Sequence, residues 1–177
     1  QVIFSPKLLA KAVFADPELT IDLPLAVTAA TGMDALTHNI ESYLSPAFHP
    51  LCDGIALEGV RIAARALPTA VKDGRNLAAR ADMMMASMMG AIAFQKDLGA
   101  VHSCAHALGA VCDLHHGLAN ALMLEPVMRF NLDIAYTKFA ELAHVVGAGD
   151  SEDFVPWLMR LKREIGIAPS LSAVGVQ

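Results

Sequence analysis

The 177-residue chain sets 13 Lys and Arg against 18 Asp and Glu, a net charge of −5, and 55% of its residues are hydrophobic. A negative chain without clustered basic side chains is not built to bind a phosphate backbone, so no nucleic-acid partner is expected. The length suffices for one domain with a substantial core, or for one domain plus a fragment of another, and the apolar excess predicts a buried helical core.

The opening "QVIFSPKLLAKAVFADPEL" has neither the apolar stretch nor the small-residue cleavage pattern of a secretory signal. Within it, "AVFADPEL" (Ala12 to Leu19) reads as a strand leaving a sheet, cut by Asp-Pro. A single strand forms no sheet. Residues 1–23 are therefore expected to be the remnant of an α/β domain, and the chain a piece of a longer protein. From Pro24 onward Ala, Leu and Met dominate, and Gly or Pro recurs where helices would end. Helices are expected at 24–31, 33–45, 50–73, 76–97, 100–112, 117–130, 133–147 and 151–165. Pro50 marks a first turn and "KDG" a stop. Ser151 is a candidate cap ahead of a helix with acidic residues at its start and basic ones at its end. The methionines Met83–Met89 are expected to fill core gaps. The run "MMMASMMGAIAF" is shorter than the roughly 20 residues that span a bilayer, so no membrane partner is expected. Cys52, Cys104 and Cys112 form an odd set without a CxxC pair, which fits buried thiols in a reducing, cytoplasmic setting.

The stretch "VHSCAHALGAVCDLHHG" holds four of the seven histidines. Within it His102 and His106 are four apart, as Asp34 and His38 are in "TGMDALTHNIESY", and on a helix each pair lies one turn apart on one face. His115 and His116 follow at the start of another expected helix. Carboxylate and imidazole on one helix, facing imidazoles on another, is how helical bundles build internal metal sites. Spacing leaves open whether His102, His106 or both are ligands, and it does not choose between His115 and His116.

Taken together, "ATGMDALTHNIESYLS" and "GAVHSCAHALGAVCDLHHGLANALML", joined by "ARADMMMASMMGAIAFQKDLGAVH", resemble the iron-dependent alcohol dehydrogenase family. That family shares the two-domain fold of dehydroquinate synthase, and the resemblance covers nearly the whole chain. It implies a mainly α fold: a C-terminally truncated helical bundle over 24–177 carrying the metal site, preceded at 1–23 by the end of an α/β nicotinamide-binding domain. It assigns Asp34, His38, His102 and His116 as metal ligands. His106 corresponds to the histidine that faces nicotinamide and substrate without binding metal. His115 is left as a supporting residue, His49 and His144 as surface or packing histidines, and Leu19 as a cofactor contact. The implied cofactors are Fe(II) or Zn(II) with NAD or NADP, the substrate is a small alcohol or aldehyde, and the assembly is a homo-oligomer.

The donor chemistry agrees with this resemblance. Three neutral imidazoles and one carboxylate suit a borderline divalent ion and leave the site about one unit positive. An open position can take the alcohol oxygen, lower its pKa and favour hydride loss to nicotinamide. The chain departs from the family where Ala107 replaces a common proline, and where "MLEPVMR" replaces "LLPHVMR", expected to put Glu125 and Pro126 in an altered substrate lining. The phosphate-cradling glycine segment is also missing. Two rivals stand beside the dehydrogenase reading: a non-catalytic metal-binding or interaction domain, and a metal-dependent hydrolase, which would use adjacent His-Asp pairs that the sequence lacks. By itself the chain is not expected to oxidise alcohols.

Overall fold

The computed structural model describes residues 5–176. Seven helices follow in order: α1 (Leu25–Leu44), α2 (Pro50–Lys72), α3 (Leu77–Ala93), α4 (Ala100–Cys112), α5 (His116–Asn131), α6 (Tyr136–Val145) and α7 (Phe154–Glu164). Among the described residues there is no strand. The stretch around "AVFADPEL" is irregular up to the short 3-10 turn Pro17–Thr20, capped by the Asp16 carboxylate. The strand expected there does not form, because an extended segment becomes a strand only when a neighbour takes its backbone hydrogen bonds.

α1 is the central element, with thirteen of its twenty residues buried, and it packs against α2, α3 and α5. It was expected as two helices broken at Gly32. Instead it runs through that residue, because Gly32 serves packing: a Cβ there would lie 2.2 Å from Leu67 Cδ1 on α2. α2 begins as expected, with Pro50 in its first turn, but its cap is His49, whose Nδ1 accepts from Cys52 N at 3.3 Å. Lys72 closes the helix in accord with its dipole.

α3 corrects a second expectation. Its buried positions are Ala79, Arg80, Ala86, Gly90 and Ala93, whereas Met83, Met84, Met88 and Met89 are half-buried and Met85 is exposed. Small residues win the interior face because α3 lies close on α1: a Cβ on Gly90 would meet His38 Cβ at 2.9 Å. With its terminal 3-10 turn, the helix Leu77–Lys96 is long and apolar enough to cross a membrane by length and composition, longer than its methionine-rich run alone. The last helix is preceded by a 3-10 turn, Ser151–Asp153, whose cap is Asp150 in a capping box with Asp153. Ser151 is buried and donates to Tyr136 O at 2.9 Å instead. The core gathers Met33, Leu36, Ile40, Val60, Leu67, Leu124 and Met128 with the edge-to-face pair Phe139 and Phe154, 5.7 Å apart. Burying such side chains is worth roughly 1.5–3 kcal/mol each, which holds the helices in the register the polar cluster needs.

Candidate metal centre

Asp34, His38 and Glu41 stand at i, i+4 and i+7 on α1 and share one face. The His38 ring is turned by its own helix, with Nδ1 2.9 Å from the Asp34 carbonyl, so the proton belongs on Nδ1 and the Nε2 lone pair is left free. Phe94 borders it, with ring centroids 6.0 Å apart.

α4 opens at Gly99, which has no side chain to cap the helix. The Glu41 carboxylate takes that place from α1, accepting from Val101 N at 2.7 Å and His102 N at 3.2 Å. Its Oε2 is also 2.7 Å from His102 Nδ1. A Cβ at position 99 would lie 2.6 Å from Glu41 Oε1, so the glycine makes room for the carboxylate. One buried anion thus satisfies a helix N-terminus and orients an imidazole.

α5 begins with His115 as its cap, Nδ1 accepting from Leu118 N at 3.4 Å, and His116 as its first residue. Gly117 lets this end touch α1: a Cβ there would lie 2.4 Å from the Ala30 carbonyl oxygen. The three elements therefore converge on Asp34 Oδ1. His102 Nε2 and His116 Nε2 each lie 3.5 Å from it, and His38 Nδ1 lies at 3.8 Å. Asp34, His38 and His102 offer one donor atom each within 4.8 Å of one another. His116 lies outside that mutual set, at the more open edge, with its side chain 43% exposed. His106 is exposed one turn along α4, its ring 5.1 Å from His116 and 6.4 Å from His102.

Electrostatics mark this as a place short of positive charge. Burial would lower the His102 pKa, yet the Asp34 carboxylate, 3.5 Å from Nε2 and too far for a good hydrogen bond, and Glu41, hydrogen-bonded at Nδ1, raise it to about 9. Burial raises Asp34, but His102, the charges of His38 and His116, and Asn120 together bring it below the usual carboxylate value. His38 and His116 are both lowered, chiefly by burial, which keeps them neutral donors. The cluster also fits a divalent ion on a direct observation: His102 Nε2 is buried with no hydrogen-bond partner, and it faces the other donors. A buried polar nitrogen left without a partner is costly.

Two residues here are absent from the sequence-level set. Glu41 stands three residues after His38, a spacing that carries the signal. Asn120 is four residues after His116, and its Nδ2 reaches Asp34 Oδ1 at 2.5 Å and His116 Nε2 at 3.1 Å. Leu19 is not brought to the cluster; it is 82% exposed on the Pro17–Thr20 turn. His144 is exposed on α6. Glu125 is no part of a lining around the cluster. It stands nine residues after His116, about half a turn round the helix, and its carboxylate meets Arg129 at 3.0 Å and Lys162 at 3.7 Å.

Residues 28–177 match the family described as "Fe-containing alcohol dehydrogenase family, C-terminal". The chain is 42% identical to a 4-hydroxybutyrate dehydrogenase of Cupriavidus necator over 96% of its own length and 47% of that protein. Among solved structures it is similar to a 1,3-propanediol oxidoreductase, with a TM-score of 0.89 and 43% identity over 92% of this chain and 45% of that one. It is also similar to a sulfoacetaldehyde reductase from Bifidobacterium kashiwanohense, solved with NAD+, with a TM-score of 0.84 and 32% identity over 92% and 43% of the two chains. The chain thus spans about half the length of the curated relatives it matches.

Proposed function

The chain belongs to the iron-containing alcohol dehydrogenase family, and from that premise we propose that it is the metal-binding helical half of a nicotinamide-dependent alcohol dehydrogenase. The observation that carries the proposal is the buried, unpartnered His102 Nε2 facing Asp34 and His38. Asp34, His38, His102 and His116 would hold Fe(II) or Zn(II), His116 from the open edge. When bound, such an ion supplies Lewis acidity at the substrate oxygen, and NAD or NADP supplies the hydride acceptor.

This chain's own residues do the rest. Asp34 contributes the negative charge around which three imidazoles gather. His38 keeps its proton on Nδ1 by donating to the Asp34 carbonyl, so its other nitrogen stays available. Phe94 borders His38 with an apolar ring. His106 is exposed at the rim, where its ring can hold a small alcohol against the nicotinamide or pass a proton to solvent. These residues offer no glycine-rich pyrophosphate cradle. The grip on the dinucleotide is therefore assigned to the remainder of a protein of the relatives' length, whose 1–23 counterpart would close an α/β domain. The exposed Leu8, Leu9, Val13, Phe14 and Leu19 lie in that 1–23 segment, where the rest of such an α/β domain would cover them.

Nicotinamide absorbance with a panel of primary alcohols tests the proposal. A protein of the relatives' length should turn over, and a chelator should abolish it. The 177-residue chain with added metal should give no saturable turnover, because hydride transfer needs the nicotinamide held about 3–3.5 Å from the substrate carbon. Chelator-resistant turnover in the longer protein would overturn the metal assignment.

A further inference from the structure

We infer that Glu41 is the positioning residue of the metal centre: it fixes His102 as an Nε2 donor and supplies the second negative charge that a divalent ion requires in this pocket. The inference rests on the metal-binding reading above and extends it to a residue that takes no place among the ligands.

The geometry leaves Glu41 little choice of role. It is 3% exposed, and its oxygens accept from Val101 N, His102 N and His102 Nδ1 at 2.7, 3.2 and 2.7 Å. All three partners belong to the first turn of α4, so ring and backbone of His102 are gripped by the same carboxylate. Among its polar contacts the ring faces Glu41 on its Nδ1 side and Asp34 on its Nε2 side. With Nδ1–H donated to Glu41, Nε2 is the nitrogen left for a cation: it faces Asp34 and His38 and has no hydrogen-bond partner. A carboxylate behind a ligating imidazole raises its basicity and locks its tautomer.

Charge gives the second argument. Asp34 alone would leave a divalent ion with one excess positive charge in a largely buried setting. Glu41, anionic because it acts only as an acceptor toward three N–H groups, brings the total to neutral. The count of about one positive unit made from the ligands alone is corrected by this residue. Gly99 is the structural counterpart, since any side chain there would push the carboxylate away from α4.

The test is metal binding by the chain itself, with Zn(II) or Co(II) as the probe in competition with a chromophoric chelator. Glu41→Gln keeps the size of the side chain and one acceptor oxygen but removes the charge. It should weaken the affinity about 10–100-fold, while the thermal midpoint of the metal-free protein shifts far less than that of Glu41→Ala, which loses the α4 cap as well. Unchanged affinity in Glu41→Gln would reduce Glu41 to a helix cap and overturn the inference. Absence of metal binding by the wild-type chain would instead overturn the metal reading beneath it. Should Glu41→Gln fail to fold, the metal-loaded wild-type chain decides by nitrogen NMR of His102. A proton on Nδ1 is expected, and a proton on Nε2 sinks the inference.

Discussion

α1 carries two buried polar clusters near each other, and they differ in one respect. Past its C-terminal end, Lys96 pairs with Asp53 and reaches the Tyr43 carbonyl at 3.4 Å. Lys138 donates to the carbonyls of Tyr43 at 2.6 Å and Ser45 at 3.1 Å, and the Tyr43 hydroxyl donates to Glu141 at 2.7 Å. Burial and Glu141 both push the Tyr43 phenol above the usual tyrosine range, so it remains a donor. Every cation there meets an anion or a helix-terminal carbonyl, as the helix dipole favours. Further back along α1, Asp34, His38 and Glu41 with His102 of α4 leave a buried nitrogen unpaired and two carboxylates crowding one imidazole. A balanced cluster holds a fold together, whereas the unbalanced one is where the proposed metal site lies.

The sharpest way to break this contrast is to remove a donor from the unbalanced side. His102→Ala should lower metal affinity on the order of 1,000-fold, beyond the roughly 10–100-fold of changes one layer out, while the metal-free fold persists. Metal analysis after dialysis reads this directly, and retained metal would show that the cluster is not the binding site.

On the balanced side the loss should appear as stability instead. Lys96→Met leaves Asp53 without its partner and should cost about 3 kcal/mol in urea unfolding, at the low end for a broken buried pair because Asp53 is 29% exposed and can rehydrate. Metal affinity should stay within about threefold, as expected for separated sites. A parallel loss of metal would show that the two clusters act as one through α1.

The seam between α5 and α1 offers a finer test. Gly117→Ala sets a methyl against the Ala30 backbone, which cannot rotate away. It should destabilise by about 1–3 kcal/mol and weaken metal binding only through displacement of His116. An affinity loss as large as that of His102→Ala would make His116 a principal ligand, equal to the three mutually close donors.

The smallest effect is expected at the rim. In a protein of the relatives' length, His106→Ala should keep its metal and lose at least about tenfold in turnover, within the range that proton transfer and positioning supply. Loss of metal along with turnover would make His106 a ligand.

Local periodicity was enough to read the helices and the two i,i+4 pairs, because both depend on residues within one or two turns of one another. It did not choose among the histidines: only the resemblance of "TGMDALTHNIE" and "VHSCAHALG" to a known family proposed which are ligands. Glu41 was within reach of the same logic, being three residues past His38, but its meaning depends on α4, sixty residues away. What glycine does could not be read in this way. Gly32 looks like a helix break in sequence and is a packing notch in space; only the position of Leu67 distinguishes the two. Likewise the methionines of α3 are the more hydrophobic choice for a core, yet apart from Arg80 its buried positions are Ala and Gly, and at Gly90 the short distance to α1 leaves no room for a side chain. Glu125 seemed to alter a lining until helix phase and Lys162 set it on another face. The sequence by itself determined which elements are helices and which donors share a face, since those are properties of a chain's nearest neighbours. The tertiary structure decided which faces meet and which polar atoms are left without partners, because packing and burial join residues whose separation along the chain carries no pattern.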